Sequence, residues 1–374
     1  MKPYRILQIV GGPMHFGGAE TMLMNYYRLI NKEKIQFDFL IHGSNNGQYA
    51  DEILKLGGRI YNIPLKSENF LENIKGLRKI FNSGEYKAIH SHMEAMGMIV
   101  LREAKKANIN VRISHSHTTK IPNVSFLMKF VYEYARRNVA KYATHLCACS
   151  KPAAVWLYGE KNADKTFILK NAIDVGKFAL DETTREKVRD EFGIGTNLVV
   201  GHIARFSPEK NHAFCLEMFS ELLAIRKNAI LLLIGEGKLH DDIVEKINQL
   251  GISDSVFLTG PRGDIPALLQ AMDVLVLPSV FEGLPMVVIE GQASGLPCIV
   301  TDKVPLEAKL TDLVDYLPID GTQKLWAETI VKKEHLSQRI FGNQIVAASE
   351  FNIANQAHKL EDFYFELCKK EYSQ

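Results

Sequence analysis

The chain has 374 residues, 46% hydrophobic and 24% charged, a balance that suits two globular domains and excludes a disordered or fibrous protein. No stretch approaches the roughly 18 uninterrupted apolar residues of a spanning helix. The net charge of +2 hides an asymmetry: residues 1–180 carry 26 Lys and Arg against 14 Asp and Glu, and residues 181–374 carry 19 against 29.

Taken in chain order, Arg5–Val10 reads as a strand that ends in a glycine loop, Gly11 to Gly18. Met22, Leu23, Tyr26, Tyr27 and Leu29 then fall on one helical face. Further strands are expected at Phe37–Ile41, Arg59–Ile63, Ala88–His92, Val111–His115 and His145–Cys149, with helices at Asp51–Leu56 and Phe70–Phe81, and Lys165–Leu169 closes the half. The charged stretch 175–197 reads as a linker. The pattern then restarts, with strands at Leu198–Ile203, Ala229–Ile234, Val256–Leu258, Val274–Leu277 and Cys298–Val300. Helices are expected at His212–Ile225, Leu239–Leu250, Ile265–Ala271 and Pro285–Ser294. From Trp326 onward the pattern is helical. Strands alternating with helices predict parallel sheets, and continuously apolar strands predict sheets covered on both faces. The expected domains are 1–175 and 198–350, with 351–374 a terminal helix crossing back to the first. No secretory signal is read at Met1–Arg5, and the five cysteines read as buried thiols, so a reduced cytoplasmic setting is expected.

The chemistry concentrates in the second half. Glu282 stands eight residues before Glu290, and Gly283-Leu284-Pro285 sets a tight loop leading into a helix N-terminus, a natural place for an anion. Carboxylates there would accept hydrogen bonds from sugar hydroxyls. Alternatively, Glu282 caps a helix and Glu290 is a solvated surface residue. Arg205 and Lys210 flank Glu209 in another strand-end loop, which can equally be a solvated charged loop.

In combination, Pro278-Ser279-Val280-Phe281-Glu282-Gly283-Leu284-Pro285, Glu290 and Ala293-Ser294-Gly295-Leu296-Pro297 resemble the paired-glutamate signature of retaining glycosyltransferases of family four, the large group 1 family. Gly17-Gly18-Ala19-Glu20, Lys170-Asn171-Ala172-Ile173-Asp174 and Ala204 to Asn211 extend the likeness over nearly the whole chain. Gly291 departs from it, since the family commonly has alanine there. The resemblance implies an α/β fold of the GT-B type, with two Rossmann-like doubly wound domains facing a central cleft. It implies that Arg205 and Lys210 hold the donor diphosphate, Glu282 meets the donor sugar and Glu290 grips the ribose. Gly17 and Gly18 approach the diphosphate, and Gly235-Glu236-Gly237 with Arg262 lie where the family cradles the base. A histidine of Ile113-Ser114-His115-Ser116-His117 is the expected active-site histidine: counting along the strand favours His117 and leaves His115 open.

The implied activity is retaining transfer of a hexose or N-acetylhexosamine from a nucleotide diphosphate sugar, by default a UDP-sugar. The acceptor is a glycan or lipid-linked sugar in bacterial capsule or exopolysaccharide synthesis. No resident cofactor or metal is expected, because no Asp-x-Asp occurs and two cations can oppose the leaving charge. The alternative is a UDP-sugar epimerase on the same fold. Residues 120–141 place Phe126, Leu127, Phe130, Val131 and Tyr134 at helical spacing among Lys129, Arg136, Arg137 and Lys141. Such a helix can lie on an anionic bilayer or pack into the core; peripheral contact with the inner face of the cell membrane is the expectation. Nucleic acid is not, because no aromatic-basic platform accompanies the charge.

Overall fold

The computed structural model describes residues 2–119, 124–333 and 339–372. The chain divides into two compact units, residues 1–172 with 353–374, and residues 173–352.

Unit 1 is built on seven parallel strands: β1 (Tyr4–Val10), β2 (Ile35–His42), β3 (Ile60–Ile63), β4 (Ala88–Ser91), β5 (Val111–Ser116), β6 (His145–Ala148) and β7 (Phe167–Ile168). Their spatial order is β3-β2-β1-β4-β5-β6-β7. Unit 2 has six: β8 (Leu198–Ile203), β9 (Ala229–Ile234), β10 (Val256–Gly260), β11 (Val274–Leu277), β12 (Cys298–Thr301) and β13 (Val314–Leu317), in the order β10-β9-β8-β11-β12-β13. Among the described residues every pairing of these strands is parallel. Both sheets are doubly wound, and the direction of winding reverses once in each, between β1 and β4 and between β8 and β11. Ligands in such sheets sit beyond the carboxyl ends of the strands at that reversal.

Each sheet is covered on both faces. In unit 1, Ile6, Phe37 and Ile113 bury on one side and Leu7, Ile9 and Ile89 on the other. In unit 2, Leu232 and Leu275 bury on one face and Leu231, Leu233 and Val276 on the other. Strands with apolar residues on both faces read as unbroken hydrophobic runs, which is why their positions are legible.

The terminal helix Ile353–Tyr372 belongs to unit 1. Ile353, Ala357, Leu360, Tyr364 and Cys368 recur every three or four residues and form the stripe that buries against the first sheet. Tyr364 meets Phe37 edge-on at 5.7 Å, and Phe363 stacks on Phe167 at 4.4 Å.

The expected linker 175–197 is folded. It holds the helix Glu182–Glu191, which opens on an Asp181 side-chain cap and belongs to unit 2. Arg185 donates to Asp273 at 2.5 Å, and Arg189 donates to the Ala271 carbonyl at 2.7 Å. Charge here serves docking rather than solvation. The sequence pattern also misses β13, an edge strand interrupted by Asp315, and the helices Gly97–Lys106 and Lys151–Tyr158.

Gly291 has a packing reason. A Cβ built there would lie 2.7 Å from Cys298 Sγ and 2.8 Å from Leu275 Cδ2, so the helix Met286–Ala293 rides close on β11 and β12. The alanine common in the family would overpack this contact.

Candidate active site

Three loops meet at the carboxyl ends of β8, β9 and β11 in unit 2. The first, Ala204 to Asn211, contains one turn of 3-10 helix at Pro208–Lys210. Asn211 then takes the left-handed conformation (φ 54°) and turns the chain into the helix His212–Ile225. The second is Gly235-Glu236-Gly237. The Phe206 amide donates to the Glu236 carbonyl at 2.8 Å, and the Leu239 amide to the Phe206 carbonyl. A Cβ at Gly235 would collide with the Ala204 carbonyl oxygen, and one at Gly237 with that of Phe206. Glycine is required because the two backbones touch. The third loop, Pro278 to Pro285, is tied to the first by the Val280 amide donating to the Glu209 carbonyl at 2.9 Å.

These ties place Lys210 and Glu282 side by side. Lys210 Nζ donates to Glu282 Oε1 at 2.6 Å, and Ser279 Oγ donates to the same oxygen at 2.7 Å. The Glu282 side chain is only 8% exposed. It is therefore neither a simple helix cap nor a solvated side chain, and one of its oxygens accepts from two donors. Arg205 lies in the same loop as Lys210, exposed, and its side chain has no hydrogen bond or ion pair among the described residues. Glu290 lies on the helix Met286–Ala293, and burial pushes its carboxyl up to about 7. Gly283 and Leu284 shape the approach to that helix, and Pro285 stands at its N-cap. Arg262 is committed elsewhere. Its guanidinium donates to Asp264 at 2.6 Å and to Glu191 at 3.0 Å and lies over the Phe192 ring, so in this structure it braces a loop.

In unit 1, Gly17 is the N-cap of the helix Gly18–Leu29, beyond the end of β1. A Cβ at Gly17 would meet the Glu20 carboxylate, while one at Gly18 would meet nothing. The histidines of β4 and β5 share one sheet face with Gln8 of β1, which pairs with His90 in the β1–β4 register. His115 is fully buried, whereas His117, just past the end of β5, is partly accessible. His117 Nε2 lies 2.9 Å from His92 Nδ1. Burial, the largest cause, pulls His117 down to about 4 and His90 to about 3, so both are neutral at pH 7.

Three more residues join this site without belonging to any motif. Glu94 follows the β4 end with a left-handed backbone (φ 49°), an outlier for a non-glycine residue. Its carboxylate accepts the His117 amide at 2.5 Å and the Ser116 hydroxyl at 3.3 Å. Burial outweighs these bonds and pushes it up to about 7. Glu94 thus clamps the loop that carries His117. Gln8 and Tyr364 are the other two, with Gln8 Nε2 donating to the Tyr364 hydroxyl at 3.1 Å. Glu94 could have been singled out as the acid two residues beyond His92; Tyr364 carries no such signal.

Functional loops at the carboxyl ends of two doubly wound sheets mark the GT-B class of nucleotide-sugar enzymes. The structural neighbours agree. Anabaena HepE, solved with UDP and glucose, superposes with a TM-score of 0.78 over 96% of this chain and 99% of that one, at 18% identity. WaaG, a glycosyltransferase involved in lipopolysaccharide biosynthesis, superposes at 0.69 over 96% and 99%, at 15% identity. The profile "Glycosyl transferases group 1" matches residues 184–332, and "Glycosyltransferase Family 4" matches residues 16–177. The glycosyltransferase EpsF of Bacillus subtilis is 36% identical over 88% of this chain and 87% of its own length. The capsular polysaccharide biosynthesis glycosyltransferase CapH of Staphylococcus aureus is 25% identical over 87% and 90%. The chain belongs to the group 1 glycosyltransferases.

Proposed function

We propose that this glycosyltransferase moves a hexose or N-acetylhexosamine from a UDP-sugar, with retention of configuration, to a lipid-linked or glycan acceptor in bacterial surface polysaccharide assembly. The observation that carries the proposal is the Lys210–Glu282 pair, whose lysine lies on a loop that also carries Arg205, at the winding reversal of the second sheet. An Escherichia coli relative, 25% identical over 94% of both chains, is a UDP-Gal:alpha-D-GlcNAc-diphosphoundecaprenol alpha-1,3-galactosyltransferase. It supplies the donor and acceptor classes by analogy. Nothing in the site favours the epimerase alternative.

Lys210 and Arg205 meet the diphosphate, whose charge grows as the C1–O bond breaks. Glu282, held by Ser279, faces the sugar hydroxyls and receives them in place of part of its contact with Lys210. Glu290, protonated or not near pH 7, can donate to or accept from a ribose hydroxyl. His117 is neutral, its Nε2 lies 2.9 Å from His92 Nδ1 and its buried Nδ1 has no partner, so Nδ1 is the nitrogen left for a sugar hydroxyl. The acceptor hydroxyl bonds to C1 on the face that the diphosphate leaves, and its proton passes to the departing phosphate oxygen. Proton NMR of the first product formed should show the donor's anomeric configuration; an inverted product would overturn retention. Turnover should persist in EDTA. A loss that Mg2+ or Mn2+ restores would show that the two cations do not suffice at the diphosphate.

The helix Phe126–Tyr142 supports membrane contact by unit 1. Its core-facing residues are Tyr132, Ala135 and Val139. Phe126 and Leu127 are each 75% exposed, Phe130 61% and Tyr134 63%, with Lys129, Arg137 and Lys141 also exposed. The apolar stripe seen in the sequence is therefore not core. The four residues Lys120 to Asn123 that open that segment lie outside the described residues. Apolar and basic groups together on one helix suit the headgroup region of an anionic bilayer. Flotation with phosphatidylglycerol vesicles should carry the protein upward, and Phe126→Asp with Phe130→Asp should reduce the floated fraction several-fold. Equal flotation of the double variant would remove this surface from the proposal.

A further inference from the structure

The histidine face of the first sheet is larger than one active-site histidine requires. His90, His92 and His115 each bring a ring nitrogen within 4.8 Å of the other two. His90 Nε2 and His115 Nδ1 are 3.1 Å apart. His115 is fully buried and its Nε2 has no hydrogen-bond partner, and the buried Nδ1 of the adjoining His117 has none either. A buried ring nitrogen left unpaired costs on the order of 1–3 kcal/mol, and two lie together here.

Two other ring nitrogens, one on His90 and one on His92, are by contrast held by oxygen, while His92 Nδ1 faces His117 Nε2 at 2.9 Å. His90 Nδ1 is 2.6 Å from the Tyr364 hydroxyl, and His92 Nε2 is 2.9 Å from Gln8 Oε1. Metal-ligating imidazoles show this division: one nitrogen fixed by an oxygen partner, the other turned to the ion. Three neutral imidazoles with an open fourth position suit zinc, cobalt, nickel or copper far better than magnesium or calcium. Bonds of about 2.0–2.1 Å in tetrahedral geometry set ligand nitrogens about 3.3–3.4 Å apart. The 3.1 Å pair would open by about 0.2–0.3 Å to reach that spacing. A pair at the 4.8 Å limit would close by about 1.5 Å, within reach of small side-chain rotations.

We propose that His90, His92 and His115 form a binding site for a transition-metal dication of the zinc class, with His117 beside its fourth position. The ion replaces the contacts of His90 with His115 and of His92 with His117, and joins β4 to β5. Through Tyr364 it also fixes the terminal helix to the sheet. The proposal does not rest on the donor chemistry. Arg205, Lys210 and Glu282 take no part, and magnesium rescue of EDTA-treated enzyme is a separate question.

The test is to strip the full chain of metal and titrate it with Co2+, which reports imidazole coordination by its visible ligand-field bands. One equivalent should bind with tetrahedral-type bands. His358→Gln, at an exposed position on the terminal helix, should bind unchanged. His90→Gln and His115→Gln should each lose the bands and bind at least about 10-fold more weakly. Absence of bands in the unsubstituted protein, or their retention in either variant, overturns the proposal: the histidines are then a hydrogen-bonded chain that binds no metal, or cobalt sits at an unrelated surface. X-ray absorption of the zinc-loaded protein reads the same question without a variant. Three imidazole nitrogens at about 2.0–2.1 Å support the site, and an oxygen-only shell refutes it.

Discussion

Lys210→Ala is expected to lower kcat by about 10²–10³-fold, with KM for the donor rising much less. The charge that Lys210 opposes is small in the bound donor and large as the diphosphate departs, so its contribution falls mainly on the transition state. Removing it also leaves Glu282, 8% exposed, with the Ser279 hydroxyl at 2.7 Å as its remaining side-chain donor, and a buried carboxylate short of partners destabilises the fold by about 1–3 kcal/mol. Two readouts are therefore needed: steady-state kinetics with a UDP-sugar, and thermal unfolding. Lys210→Arg should recover part of both. Arg205→Ala gives the contrast, because Arg205 is exposed: activity should fall while stability stays within about 0.5 kcal/mol. A kcat for Lys210→Ala within about tenfold of the unsubstituted enzyme would remove this cation from the leaving-group role.

The second large effect concerns Glu290 and pH. Burial raises its carboxyl from the ordinary 4.5 to about 7 in the folded protein. Between those values the folded state holds a proton that the unfolded chain has released, so stability falls as pH rises through that window. At about 1.36 kcal/mol per pH unit, discounted for partial exposure, the loss is about 2–3 kcal/mol. Glu290→Gln keeps the shape and cannot ionise, so it should lack this loss. The chain has two tryptophans, and Trp326 packs in unit 2, edge-on to Phe214 at 5.3 Å. In a Trp156→Phe background its fluorescence follows unit 2 alone. The difference in stability between the parent and Glu290→Gln should grow from about pH 4.5 to about pH 7 and level off outside that range. Parallel curves across the window would show that Glu290 is solvated when folded.

Much of this architecture is legible in the amino-acid sequence because buried parallel strands leave unbroken apolar runs. Leu198–Ile203, Ala229–Ile234 and Val274–Leu277 fall where the pattern places them. The pattern fails where polar residues are structural. The helix Glu182–Glu191 reads as linker because its docking uses Arg185 and Arg189 rather than leucines. The glycines of the donor loop signal close backbone approach, and Gly235 and Gly237 both have a backbone carbonyl against them. What spacing cannot supply is partnership across the chain. Lys210 and Glu282 are 72 residues apart, and Gln8 and Tyr364 are 356 apart. Nor can it supply the backbone of Glu94, since a left-handed acid has no compositional mark.

The placement of the helix Ile353–Tyr372 has a consequence for synthesis on the ribosome. Residues 173–352 form a complete unit by themselves, whereas the first sheet receives its final covering stripe from a segment translated after all of that unit. The amino-terminal half, although made first, must wait with Phe37, Gln8 and His90 uncapped until Tyr364 emerges. The later-made unit can therefore finish folding before the earlier one, and a chain that stalls between Asn352 and Tyr364 would carry one finished body and one open, aggregation-prone sheet.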